Sequence, residues 1–136
     1  MNLRTAILLP ILFWQVSCCR QSLSYPVIAD VTRIEIRATE GGELIKEITD
    51  GAQIASATRF VDERRSRWCS PRFGSLPVAP VTLYFETNHD RKGQIGFGKE
   101  FFVAELSSGK YKMDISDDEE HEFLTAIGAS EVQLFK

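Results

Sequence analysis

Cysteine, histidine and methionine are all scarce in this 136-residue chain, which holds three, two and two of them. Three cysteines, Cys18, Cys19 and Cys69, exclude a disulfide-dense miniprotein, so a hydrophobic core must do most of the stabilising. Basic charge is not in excess: 16 Lys and Arg stand against 19 Asp and Glu, a net charge of −3, which argues against nucleic acid as a partner. No apolar run approaches the ~20 residues needed to cross a bilayer, and residues 6–14 reach about half of that. There is no internal repeat and no low-complexity segment.

What the chain does have is a distinctive start. In residues 1–19, MNLRTAILLPILFWQVSCC, Arg4 precedes the apolar run and Ser17-Cys18-Cys19 closes it, the layout of a secretory signal. The expected location is therefore extracytoplasmic. Val16-Ser17-Cys18 resembles the end of a bacterial lipoprotein signal, a small residue followed by the cysteine to be acylated, with Gln15 where such signals usually carry Leu. Cys19, preceded by Val16, Ser17 and Cys18, is the second lipidation candidate. The alternative is ordinary cleavage, near Cys18 or around Ser22-Leu23-Ser24, which gives a free periplasmic or secreted protein. The organisation expected is a signal at 1–19, a polar tether at 20–29 and one domain at 30–136. Without Arg4, 15 basic residues remain against 19 acidic ones, a mature net charge of −4 that favours solubility.

Residues 30–38 alternate, with Ile34 and Ile36 on one face and Arg33, Glu35 and Arg37 on the other, the period of a half-buried strand. Thr39-Glu40-Gly41-Gly42 reads as a hairpin loop leading to a second strand over 43–48. Thr49 or Asp50 can cap a helix carrying Ile54, Ala57, Thr58, Phe60 and Val61, expected to run to about Arg67. Pro71, Gly74, Pro77 and Pro80 mark 69–80 as a loop. Strands are expected over 81–86, 94–99, 101–106 and 110–115, with a Ser107-Ser108-Gly109 turn. Ser116 and Glu119 form a capping box for a last helix that buries Phe123, Leu124 and Ile127 and closes at Gly128. The order ββαββββα predicts an α+β domain, a mostly antiparallel sheet with two helices packed on one face.

This succession, from Val31-Thr32-Arg33-Ile34-Glu35-Ile36-Arg37 through Ile48-Thr49-Asp50 and Trp68-x-x-Pro71 to Ile127-Gly128, resembles small exported bacterial proteins and lipoproteins of uncharacterised activity. The resemblance covers about residues 30–128 and implies a fold and an address, without an activity.

Chemistry-bearing clusters are thin, and no cofactor or enzymatic activity is expected. His89 and His121 are the only histidines, and His121 with Asp117 or Glu120 would be a minimal metal set, but a histidine on an acidic helix is ordinarily solvated. Asp114-x-Ser116-x-Asp118 echoes a calcium loop, yet Glu119 stands where the turn glycine belongs and Thr125 where the bidentate Glu belongs, so helix capping explains the run better. Cys69, flanked by Arg65, Arg67 and Arg72, carries the alternative of a small hydrolase; lipid on Cys18 would leave Cys19 able to reach it as a disulfide, lipid on Cys19 would leave it without a partner, and the expectation is a buried, unpaired thiol. Arg59, Arg64, Arg65, Arg67, Trp68 and Arg72 form a candidate patch for an anion, acidic headgroups or a protein partner. Their structural reading is a helix end neutralised by arginines. The function expected is a non-enzymatic binding or accessory module of a bacterial envelope, attached to the membrane through an N-terminal lipid and facing an envelope protein partner. An inhibitor or immunity-like protein is the second reading.

Overall fold

The computed structural model describes residues 19–23 (backbone course), 25, 28–71, 75–88 and 90–136. Strands β1 (Cys19–Leu23), β2 (Arg33–Ala38) and β3 (Leu44–Ile48) precede helix α1 (Gly51–Glu63) and a 3-10 turn at Arg65–Arg67. Strands β4 (Trp68–Pro71), β5 (Val81–Glu86), β6 (Arg91–Gly98), β7 (Phe101–Leu106) and β8 (Gly109–Asp114) follow, then helices α2 (Asp117–Ala126) and α3 (Glu131–Leu134). The strands form one antiparallel sheet in the order β1-β4-β8-β7-β6-β5-β2-β3. The α+β class and the ββαββββα core order are as the sequence predicts.

Local rules account for most of these elements. Gly41 and Gly42 take φ of +79° and +68° in the β2–β3 hairpin, conformations that cost a residue with a Cβ. Asp50 caps α1 by accepting the Gln53 N–H at 2.9 Å. Ser116 and Glu119 close the capping box of α2, and Ile127 N–H bonds Phe123 O before Gly128 turns the chain. α1 stops at Glu63, short of the expected Arg67. There Arg64 bends back to donate to Phe60 O at 3.1 Å, and the 3-10 turn tightens the exit so that Trp68 can enter β4.

Two further differences concern residues 19–28 and 68–71. The expected tether at 20–29 contributes β1, and Tyr25 and Ile28 are core residues. Tyr25 N–H bonds Arg65 O at 2.9 Å and Ile28 N–H bonds an Asp62 carboxylate oxygen at 3.1 Å, which fastens this segment to the end of α1. The expected loop at 69–80 begins as β4, whose Pro71 is tolerated because it lies at the strand's end. β1, Tyr25 and Ile28 therefore pack with the domain expected to begin at Asp30.

Strand alternation divides the sheet into two faces. Ile34, Ile36, Ile48, Leu83, Phe85, Ile95, Phe97, Phe102 and Met113 face α1 and α2 and are essentially inaccessible. Phe123 of α2 meets Phe60, Phe97 and Phe102 at centroid distances of 5.0–5.1 Å, so both helices and the sheet share one aromatic cluster.

Candidate functional site

Among the described residues, no helix lies on the opposite face. Across it the register sets Arg37 beside Thr82, Thr82 beside Gly96, Gly96 beside Val103, Val103 beside Lys112 and Lys112 beside Cys69. A groove of about 820 Å³ opens here, lined by Thr82, Gln94, Gly96 and Val103 of the sheet, Ser70 and Pro71 of β4, and residues 75–79. Thr39, Ala104, Glu105 and Lys110 also border it. Gly96 makes the close approach at its floor possible. A Cβ there would stand 2.6 Å from Val103 Cγ2 and 2.8 Å from Ala79 Cβ, inside van der Waals contact. Thr39 and Thr82 share a hydroxyl hydrogen bond of 2.9 Å, while Val78 remains almost fully exposed at the border. The lining thus mixes hydroxyl, amide and apolar groups, as binding clefts do.

Beside the groove runs a chain of paired charges. Glu86 accepts from Arg33 at 2.5 Å and lies 3.3 Å from Arg91, Arg33 is 3.6 Å from Glu35, and Glu35 pairs with Arg37 at 2.8 Å. The Arg33 hydrogen bond, helped by Arg91, holds the Glu86 carboxyl below its ordinary range. Arg91 also lies over the Tyr84 ring at 4.0 Å. Alternating sign explains why Glu35 and Glu86 tolerate burial on a polar face.

The arginine patch is built otherwise than an open anion site. Arg64 is mostly covered: it lies 3.7 Å over the Phe60 ring and bonds Glu119 at 3.0 Å and Glu122 at 3.4 Å. Arg67 bonds both oxygens of Glu119 and the Asp114 carbonyl. Trp68 has 0% exposure and packs on Tyr25 at 5.3 Å, so it belongs to the core and offers no ring to a partner. Arg65 is half-buried; exposed Arg59 borders a shallow depression with Glu63 and Glu122. Arg72 lies outside the described residues. Arg64 and Arg67 bridge the end of α1 to α2, which supplies the carboxylates that neutralise them.

Cys69 corrects another expectation. It is half-buried and disulfide-bonded, so it has no thiolate to attack a substrate, and the hydrolase alternative loses its nucleophile. The lipidation candidate Cys18 and His89 lie outside the described residues; of Cys19 the backbone alone is described. His121 is exposed on α2. Among the described residues no group of three His, Cys, Asp or Glu side chains could hold a metal ion. Asp114, the first position of the calcium-like run, pairs with Lys112 at 2.7 Å, while Ser116 serves the cap.

One interior carboxyl escapes sequence reasoning. Glu120 is 1% exposed, and it accepts the backbone N–H of Glu100, a non-glycine residue held at φ 59° in the β6–β7 turn. Burial pushes its pKa up, the Glu100 N–H opposes the rise, and Glu131 adds to it. Its place in an acidic run on a helix start concealed this, because the turn it serves lies 20 residues away.

Among the described residues no helix is long and apolar enough to cross a membrane. Comparisons with protein-family models, curated proteins and solved structures find no match to this chain.

Proposed function

We propose that this chain is an exported, lipid-anchored envelope protein acting as a non-enzymatic binding module, which takes an extended segment of an envelope protein into the groove on the sheet face opposite α1 and α2. The groove carries the reading. Its volume of about 820 Å³ lies within the range of ligand clefts, ~300–1,000 Å³. Hydroxyl and amide groups of Thr82, Ser70 and Gln94 can meet a peptide backbone, and Val103, Leu76 and Val78 offer apolar surface to its side chains. Lys110 and Glu105 place both signs of charge at the border, suited to a polypeptide rather than to a polyanion.

The address is supported by the signal-like residues 1–19 and by the disulfide at Cys69, since disulfides persist in oxidising compartments. The full-length protein expressed in a bacterium is expected to fractionate with membranes and to incorporate labelled palmitate, and changing Cys18 and Cys19 together to Ala is expected to release it. Unlabelled, soluble wild-type protein contradicts the anchor, and retention in the cytoplasm contradicts export. Binding is tested with a pool of random hexapeptides on the purified protein. Saturable binding weakened by Val78→Asp supports the groove, and equal binding by that variant contradicts it.

A further inference from the structure

Cys69 is disulfide-bonded, and the chain holds two other cysteines, Cys18 and Cys19. A bond within one chain closes on one of these two, which restricts how the N-terminus can be processed. If Cys19 were the acylated residue, Cys18 would leave with the signal and the Cys19 sulfur would be occupied by lipid. Neither would remain for Cys69. Cleavage around Ser22-Leu23-Ser24 would remove both cysteines and most of β1, the strand that covers the edge of β4. Processing ahead of Cys18 alone leaves one sulfur for the lipid and one for the crosslink. Because the lipid then sits on the first residue of the mature chain, Cys19 is the sulfur left for the crosslink; β1 sets its backbone opposite Pro71, two positions along β4 from Cys69.

Resting on the lipid-anchor reading above, we infer that the mature protein begins at Cys18, carries its lipid there, and closes Cys19 on Cys69. In the first step the Cys18 sulfur forms a thioether to the glyceryl carbon of a diacyl phospholipid. The carbon–oxygen bond to the headgroup phosphate breaks, and the thiol proton leaves with the released phosphate. Water then hydrolyses the Ser17–Cys18 peptide bond. In a separate step the Cys19 and Cys69 thiols lose their protons and a pair of electrons to the disulfide of an envelope thiol oxidant, which departs as a dithiol. The lipid thus sits next to the crosslinked residue, and β1 is zipped onto β4, so no free tether separates the bilayer from the sheet edge. Ser70 and Pro71, which border the groove, lie beside this anchored edge.

The test is a peptide map of full-length protein extracted from membranes, alkylated without reduction and digested with trypsin. Cleavage after Arg20, Arg67 and Arg72 isolates the relevant pieces. The expected product is lipid-bearing Cys18-Cys19-Arg20 joined by a disulfide to Trp68-Cys69-Ser70-Pro71-Arg72. Lipid on Cys19 with an alkylated Cys69 overturns the assignment while leaving the anchor intact. A map with no lipid overturns the anchor reading and the assignment together. The Cys19→Ala variant is expected to keep its lipid and to expose Cys69 to alkylation; loss of the lipid in that variant also overturns the assignment.

Discussion

Arg67 holds Glu119 with both arms of its guanidinium, Nη1 donating to Oε1 at 2.6 Å and Nη2 to Oε2 at 3.2 Å. The same carboxylate accepts the Ser116 N–H at 2.9 Å and thereby closes the capping box of α2. One side chain thus terminates a helix and ties it to the turn after α1. The Arg67 hydrogen bond, with those from Ser116 and Arg64, pulls the Glu119 pKa down to about 2.

Stability should therefore fall in acid through Glu119. Its folded pKa lies below the unfolded value of ~4.3, so its contribution is complete above that value and is lost as the pH falls toward 2. Because Arg67 is 42% exposed, solvent screening reduces the contribution to about 1–2 kcal/mol. Urea melts from about pH 6 to about pH 2 should show wild type and Glu119→Gln converging at the acid end. A constant gap between them would show that the ion pair adds nothing.

Ser116→Ala should cost about 0.5–2 kcal/mol, as loss of an N-cap does. Phe123→Ala should cost about 3–5 kcal/mol, because its fully buried ring touches three other phenylalanines. Denaturant melts at neutral pH decide this, and equal, negligible losses would mean that α2 does not pack on the sheet.

Glu120 predicts opposite outcomes for two substitutions. A buried carboxyl with a raised pKa costs stability above its unfolded pKa, and that cost is relieved as the pH falls through the folded one. Glu120→Gln keeps an acceptor for the Glu100 N–H without the charge, so it should match or exceed wild-type stability at neutral pH. Glu120→Ala leaves that N–H unpaired and should lose about 1–3 kcal/mol. Thermal melts that rank Ala above Gln would refute the assignment.

Elements written in local code were legible in the sequence. The alternation of Ile34 and Ile36 with Arg33, Glu35 and Arg37, the Gly41-Gly42 hairpin, the Asp50 cap and the Ser116–Glu119 box each follow from residues within a few positions of one another. β1 and β4 were not legible, because Cys19 meets Pro71 across some fifty positions and neither strand alternates clearly. The arginine cluster was visible as charge, but the carboxylate that neutralises Arg67 lies 52 positions away. The groove has no motif at all. It exists because register brings Thr82, Gly96 and Val103 into one row, and because Gly96 lets Ala79 come close.

The most direct measurement is an amide NMR titration of the purified protein with the random hexapeptide pool. Shifts concentrated at Thr82, Gln94, Gly96, Val103 and Lys110, and reduced in Val78→Asp and Lys110→Glu variants with unchanged melts, are the predicted result. Peptide-induced shifts confined to α1 and α2, or no saturable shifts at all, would contradict the claim that the sheet face opposite α1 and α2 is the working surface.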